Sequence, residues 1–286
     1  MTLSDDEPSK GVISSIADWL FKILWIFESR RNDAKVDMYR KMLWPEISGK
    51  VLDLGPGFAK SLEFLRHATA TDGSYAIDSA VVHSYTALEP NPFLYSHLHK
   101  NAEKNGFCVQ YDRQSYPDGK ESNTVAVRDN MVPFTIVRGT LDKKSLIPQA
   151  VLDGAPYDTI LTSFSMCTVK DPESTAKNII KLLKPGGKYV FIEHVLQPDV
   201  DDPHVVEDNG VDAKFWAGVQ KFINPLWKII GHGCHINRRT GDTIASIDGW
   251  ESVDYKSVRP AIDLQSRIMP LSFGIATKAK GDKEEI

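Results

Sequence analysis

The sequence predicts an α/β fold organised around a doubly wound, Rossmann-like sheet. Two observations support this prediction. Short apolar segments typical of buried strands alternate with helical segments through the middle of the chain. The first of these strands runs directly into the stretch 53–59, DLGPGFA, which contains two glycines. Glycines at a strand end let the backbone pass close to a ligand, as they do in nucleotide-binding folds.

Composition limits the classes of function. The chain has 286 residues, 42% of them hydrophobic, and a net charge of -4. Because no basic surface is implied, we expect no nucleic-acid partner. The three cysteines are far apart and odd in number, which favours free thiols in a reducing compartment. With acidic residues near the start instead of a secretory signal, we expect an intracellular protein, either cytoplasmic or at a membrane surface.

Residues 1–44 are predicted to form a polar tail and helices ahead of the sheet. The segment 12–29 has an amphipathic helical pattern, and a second helix is expected at 33–44. Three interpretations of 12–29 remain open. It can close over a ligand as a lid, lie in a membrane surface as a peripheral contact, or pack on the core of its own domain.

The alternation of strands and helices begins at residue 45. Polar segments rich in turn formers predict loops at 69–79 and 110–131. The expected strands are 50–54, 83–88, 134–137, 157–162 and 188–193, the last of them following a turn at 184–187. The expected helices are 60–68, 93–105, 143–152 and 172–183.

The last third of the chain completes the sheet. An acidic loop at 198–210 precedes an aromatic-rich helix at 211–230, which Pro225 is expected to kink. A turn and a short helix from Thr240 follow, and strands 251–258 and 272–279 form an antiparallel pair. The prediction is a seven-stranded sheet, mostly parallel, with an antiparallel last strand. Residues 281–286 are expected to be a solvated tail.

Four features follow successive predicted strands at their carboxyl ends. They are the glycine turn, Glu89, the stretch 139–142 (GTLD) and Ser163. An acidic side chain after the second strand can accept hydrogen bonds from both ribose hydroxyls of a nucleotide. Because the carboxyl ends of parallel strands meet at one edge of a sheet, these features predict a single nucleotide-type site.

Three stretches resemble class I S-adenosylmethionine-dependent methyltransferases: 51–57 (VLDLGPG), 88–91 (LEPN) and 182–187 (LLKPGG). The resemblance implies a methyltransferase domain over 45–280 that binds S-adenosyl-L-methionine. Either Asp142 or Thr140 with the backbone would meet the adenine. The cofactor-binding residues that the resemblance implies are Asp53, Gly55, Pro56, Gly57, Glu89, Pro90, Asn91, Thr140, Leu141 and Ser163.

A narrower resemblance involves 193–195 (EHV), 222–228 (FINPLWK) and 230–234 (IGHGC). These stretches are similar to the small-molecule thiol methyltransferases of endoplasmic reticulum and lipid droplets, which begin with a membrane-associating helix. The resemblance implies in-line methyl transfer to a hydrophobic small molecule through a thiol or a phenol or other hydroxyl. The implied substrate residues are Trp216, Phe222, Trp227 and His232.

His194 is the best candidate for a catalytic base, because it ends the fifth predicted strand and imidazole titrates near neutral pH. The alternative is a structural histidine bonded to a backbone carbonyl. His232, Cys234 and His235 suggest zinc, but no fourth ligand has suitable spacing, so we expect no metal. The alternative function is a protein that binds the cofactor without methylating, as a cyclase or a partner subunit. The oligomeric state is left open.

Overall fold

The structure, a computed structural model, describes residues 36–69, 75–112, 131–142, 147–208, 212–231, 233–259 and 267–281. The predicted helix 12–29 lies wholly outside these residues. So do residues 113–130 of the predicted loop 110–131 and residues 282–286 of the predicted tail. Within the described residues the fold is α/β with a mostly parallel sheet, as predicted.

Helices and strands alternate along the described chain. The helices are α1 (36–43), α2 (Tyr95–Lys104), α3 (Gln149–Gly154), α4 (Pro172–Leu182), α5 (Ala213–Ile230) and α6 (Thr240–Ala245). Short 3-10 helices cover Trp44–Glu46, Lys60–Phe64 and Pro92–Leu94. The strands are β1 (Gly49–Leu54), β2 (His67–Thr69), β3 (Tyr75–Ile77), β4 (Val82–Leu88), β5 (Phe107–Tyr111), β6 (Val132–Val137), β7 (Tyr157–Ser163), β8 (Leu183–His194), β9 (Val205–Asp208), β10 (Trp250–Arg259) and β11 (Leu271–Lys278).

The main sheet has nine strands among the described residues, in the order β5-β6-β4-β1-β7-β8-β11-β10-β9. β11 runs antiparallel to both of its neighbours, and the other pairings are parallel. The prediction of seven strands was wrong because β5 and β9 escaped it. Both are short edge strands, and an edge strand with a polar face lacks the apolar run that identifies a buried strand.

Three local predictions also failed. The helix expected at 60–68 is only a 3-10 turn, preceded by Ala59 in the left-handed region at φ 51, and it gives way to β2. β2 pairs with β3 as a separate antiparallel ribbon within the loop predicted at 69–79. The turn predicted at 184–187 lies inside β8, where the register against β7 shifts. α5 is one continuous helix that includes Pro225.

The sheet separates two apolar clusters, which explains why its strands are buried on both faces. Val51 belongs to the cluster that includes α1 and α2, and Leu52 to the cluster that includes α3, α4 and α6. Successive residues of a strand point to opposite faces, so β1 packs against both helical layers. With both faces covered, the free edge for a ligand is at the carboxyl ends of the parallel strands.

Candidate functional site

A cavity of about 240 Å³ lies at the carboxyl ends of β1, β4, β6, β7 and β8. These strands are mutually parallel, so the residues that follow them meet at one edge of the sheet. The predicted site residues that line the cavity are Gly55, Gly57, Glu89, Pro90, Asn91, Thr140, Leu141, Ser163, His194 and Trp227. The sequence therefore identified residues at the end of each of these five strands, though fewer than half of the residues that line the cavity.

Four predicted site residues do not line the cavity: Asp53, Pro56, Trp216 and Phe222. Asp53 is 1% exposed, and the Tyr85 hydroxyl donates a 2.6 Å hydrogen bond to its Oδ2. Phe222 is 86% exposed on α5, turned away from the cavity. Helical periodicity places aromatic residues on a face of a helix, but only packing decides which face turns inward. His232 lies outside the described residues.

Glu89 holds two sides of the cavity together. Its carboxylate accepts a 3.0 Å hydrogen bond from the Gly57 N–H and a 2.8 Å bond from the Asn91 N–H. Burial raises the pKa of Glu89 to about 7, and these two backbone bonds act in the opposite direction. An ionised carboxylate can accept further hydrogen bonds, so Glu89 can still receive ligand hydroxyls.

The glycine turn brings the backbone against the loop that follows β7. Gly55 has φ +67, and a Cβ built on it would lie 2.5 Å from the Ser165 Oγ. That hydroxyl donates in turn to the Leu54 carbonyl. Both the conformation and the close approach exclude larger residues at position 55.

Glu193 anchors this loop from below, a role for which the sequence carried no clear signal. It is 0% exposed. Its carboxylate accepts the N–H groups of Ser165, Met166 and Cys167 at 3.1, 3.1 and 3.2 Å. Burial raises the pKa of Glu193, and the backbone bonds oppose the shift. The buried carboxylate thereby fixes the backbone beside the cavity.

His194, Cys167 and Cys234 meet at the β8 end of the cavity. The two sulfur atoms are hydrogen bonded at 3.3 Å, and the Cys234 Sγ lies 3.9 Å from the His194 Nδ1. The imidazole stacks on Phe164 with ring centroids 4.3 Å apart. The hydrogen bond between the thiols, followed by His194, lowers the pKa of Cys234, and the same bond raises that of Cys167. Cys234 is therefore the more acidic of the two thiols.

These three side chains have ligand atoms within 4.8 Å of one another, so they could approach a thiophilic ion. The sequence did not pair Cys167 with Cys234, because the two lie 67 residues apart. The two cysteines have similar positions in the sequence. Cys167 lies in the loop after β7 and Cys234 in the turn after α5, and both of these elements end at the cavity.

Besides the Trp227 Nε1 at the β8 end, two buried polar groups of the cavity wall have no hydrogen-bond partner among the described residues. They are the Asn91 Nδ2 and the Ser163 Oγ. Buried polar groups are normally paired, so both indicate a polar ligand at this position. With Glu89 between them as an acceptor, the wall fits the ribose and adenine end of a nucleoside cofactor.

The two buried acids predict a specific pH dependence of stability. Burial raises the pKa of Asp53 and of Glu89 to about 7. A carboxyl whose pKa is higher in the folded than in the unfolded state contributes full stability below its unfolded pKa, and that stability is lost as pH rises through the folded value. We therefore expect the contribution of these two carboxyls to the free energy of unfolding to decrease between about pH 5 and about pH 8.

Urea unfolding monitored by circular dichroism across this range checks the expectation. Glu46, whose pKa is lowered by its hydrogen bond with Lys188, affects the free energy of unfolding only at lower pH. The variant Asp53→Asn should show a shallower slope than the wild type. The lowered pKa of Cys234 adds a contribution of opposite sign over this range in both proteins, so identical slopes for the wild type and Asp53→Asn would contradict the prediction.

The model of the family described as a methyltransferase domain matches residues 27–251. The thiol S-methyltransferase TMT1B of Rattus norvegicus is 28% identical over 54% of this chain, and the match spans 47% of that protein's length. The TMT1B of Homo sapiens is 25% identical over 77% of this chain and 71% of its own.

A solved structure supports the same fold. An O-methyltransferase family protein from Burkholderia thailandensis is 9% identical, with a TM-score of 0.51, over 92% of this chain and 59% of that one. In the part of the chain that the structure describes, no helix has the length and apolar character needed to cross a membrane.

Proposed function

Because the chain belongs to the methyltransferase-domain family, we propose that it transfers a methyl group from S-adenosyl-L-methionine to a hydrophobic small molecule, with a thiol as the favoured acceptor. One observation carries the proposal. The cavity runs from Glu89, after β4, to His194, after β8. These strands are three positions apart in the sheet, which is about 14 Å. That length suits a nucleoside at one end and an acceptor at the other.

The glycine turn, Glu89, Asn91 and Ser163 would hold the nucleoside end of the cofactor, with Thr140 and Leu141 beside the base. When bound, the cofactor supplies a methyl group on a positively charged sulfur, already activated for displacement. The chain then needs to align an acceptor atom in line with that methyl and to exclude water. The buried walls of the cavity serve both needs.

The β8 end of the cavity is suited to an apolar acceptor. Trp227, Met269 and Phe164 line it beside His194 and Cys234. The names of the curated relatives support a thiol as the acceptor group. A thiol has an unperturbed pKa of about 8.5, so it needs less help to lose its proton than an alcohol does.

His194 would accept the proton of the acceptor as the methyl group is transferred. The Cys234 thiolate, 3.9 Å from the Nδ1, would keep the imidazole oriented and stabilise the positive charge that develops on it. Because the hydrogen bond with Cys167 lowers the pKa of Cys234, Cys234 is the thiol of the pair better suited to act as this charge partner. EDTA should leave the activity unchanged, because this mechanism uses no metal.

The variant His194→Asn tests the proposed base. We expect kcat/KM for an apolar thiol to fall about tenfold at pH 7. The deficit should disappear above about pH 9, where the thiol ionises without assistance. Methyl transfer from labelled S-adenosylmethionine measures both values. A deficit that is independent of pH would mean that His194 only supports the structure.

A panel of thiols, phenols and aliphatic alcohols tests the proposed reaction. We expect the apolar thiols to be methylated fastest. Calorimetry with S-adenosylhomocysteine provides an independent measure of cofactor binding. Cofactor binding without methylation of any acceptor would favour a cyclase or a partner subunit, and the absence of binding would reject the assignment altogether.

A further inference from the structure

α5 presents four large apolar side chains to the surface. The exposed fractions are 58% for Phe215, 86% for Phe222, 62% for Leu226 and 79% for Ile229. At 3.6 residues per turn these four residues fall within an arc of about 60°. Single exposed hydrophobic residues are common on proteins, but a contiguous row of this kind marks an interaction surface. We call this row the apolar stripe.

A row of lysines borders the apolar stripe. Lys214, Lys221 and Lys228 are exposed and repeat every seventh residue, which confines them to an adjoining arc of about 40°. α5 contains no acidic residue to neutralise them. The outward face of the helix is therefore cationic along one side and apolar along the other.

The inward face fixes this orientation. The buried Gln220 amide donates to the carbonyls of Val195, Ile236 and Ile268 at 2.9, 2.8 and 2.8 Å. The amide carries two N–H groups, so one of them is shared between two of these carbonyls, and together the bonds hold α5 in a single rotational position. The apolar stripe cannot turn inward without breaking them, and each would leave a buried polar group unpaired.

α5 ends beside the cavity. Trp227 of α5 and Gly231, directly after the helix, both line the cavity wall. Ile229 lies between them in sequence and is exposed. Because Trp227 and Ile229 are about 200° apart around the helix, the apolar stripe reaches this end of α5 on the side opposite the cavity.

We propose that this face of α5 docks on an anionic lipid bilayer. The apolar stripe enters the boundary between headgroups and acyl chains, and the lysines meet the headgroup phosphates. Charge favours a bilayer over a second copy of this chain. Two copies packed through this face would bring their lysine rows together, whereas an anionic surface neutralises them. The proposal does not depend on methyl transfer.

Vesicle flotation of the full chain tests the proposal, with phosphatidylcholine vesicles that contain or lack phosphatidylserine. We expect binding to the vesicles that contain phosphatidylserine, and weaker binding at high salt. The double variant Phe222→Ser, Ile229→Ser should weaken this binding about tenfold. Replacing Lys214, Lys221 and Lys228 with glutamine should abolish the preference for phosphatidylserine.

Val200→Ser is the control, because it removes an apolar side chain that is also exposed, at 62%, but lies outside α5. It should bind vesicles as the wild type does, and every variant should bind S-adenosylhomocysteine normally. Unchanged flotation of the α5 variants would overturn the proposal and assign any bilayer contact to another segment, such as 12–29. Dimerisation through α5 in light scattering, without vesicle binding, would overturn it in favour of a second copy.

Discussion

Replacing Glu89 with alanine is expected to weaken the binding of S-adenosylhomocysteine about a hundredfold. Glu89 is 3% exposed and accepts hydrogen bonds from the N–H groups of Gly57 and Asn91. The alanine variant leaves both donors unpaired beside the ligand and removes the acceptor for the ribose hydroxyls. The loss of these interactions should reduce the binding free energy by about 3 kcal/mol. Since about 1.4 kcal/mol corresponds to a tenfold change in Kd, the expected change is about a hundredfold.

Isothermal titration calorimetry measures the change in Kd directly. Glu251→Ala, which removes an exposed glutamate of β10, is the matched control and should bind like the wild type. Glu89→Gln keeps one oxygen acceptor, so its Kd should lie between those of the wild type and Glu89→Ala. If Glu89→Ala binds the ligand with unchanged affinity while remaining folded, the nucleoside end of the cavity has been wrongly assigned.

The variant Glu193→Ala is expected to lose about 3 to 5 kcal/mol of the free energy of unfolding. Three backbone N–H groups would lose their acceptor in a buried position: those of Ser165, Met166 and Cys167. Each unpaired buried donor costs about 1–3 kcal/mol, and the removal of a carboxylate that is costly to bury offsets part of the sum.

Urea unfolding at neutral pH measures this loss. Glu193→Gln retains an oxygen for the two donors that share Oε1 and should lose less stability than the alanine variant. Glu251→Ala again serves as the exposed control, for which we expect a change within about 0.5 kcal/mol. A loss this small for Glu193→Ala would show that the loop after β7 does not depend on the buried carboxylate.

The two glutamates explain how a cavity with an apolar wall keeps a defined shape. Each ends or follows a parallel strand and gathers N–H groups from neighbouring segments. Glu89 faces the cavity and can also bind the ligand, whereas Glu193 lies beneath it and holds the wall. The first replacement is therefore expected to act mainly on affinity and the second mainly on stability.

Local patterns in the sequence determined the fold class and the cofactor side of the cavity. A strand followed by glycines and an acid after the next strand are features of contiguous residues, so they can be read without a structure. This explains why the sequence alone could bring Gly55, Gly57, Glu89 and Asn91 together in one predicted site, and all four line the cavity. The short edge strands β5 and β9 were missed because β5 runs into the polar segment predicted as a loop at 110–131 and β9 lies within the acidic loop predicted at 198–210.

Only the tertiary structure decided the acceptor side and the surface. Glu193 meets the loop after β7 across 26 to 28 residues, and Cys234 meets Cys167 across 67. The sequence of α5 predicts a helix with apolar residues on more than one side. The sequence could not say which side faces the cavity, and packing through Gln220 turned Trp227 inward and Phe222 outward. Such contacts depend on where elements lie in space, which local spacing along the chain does not encode.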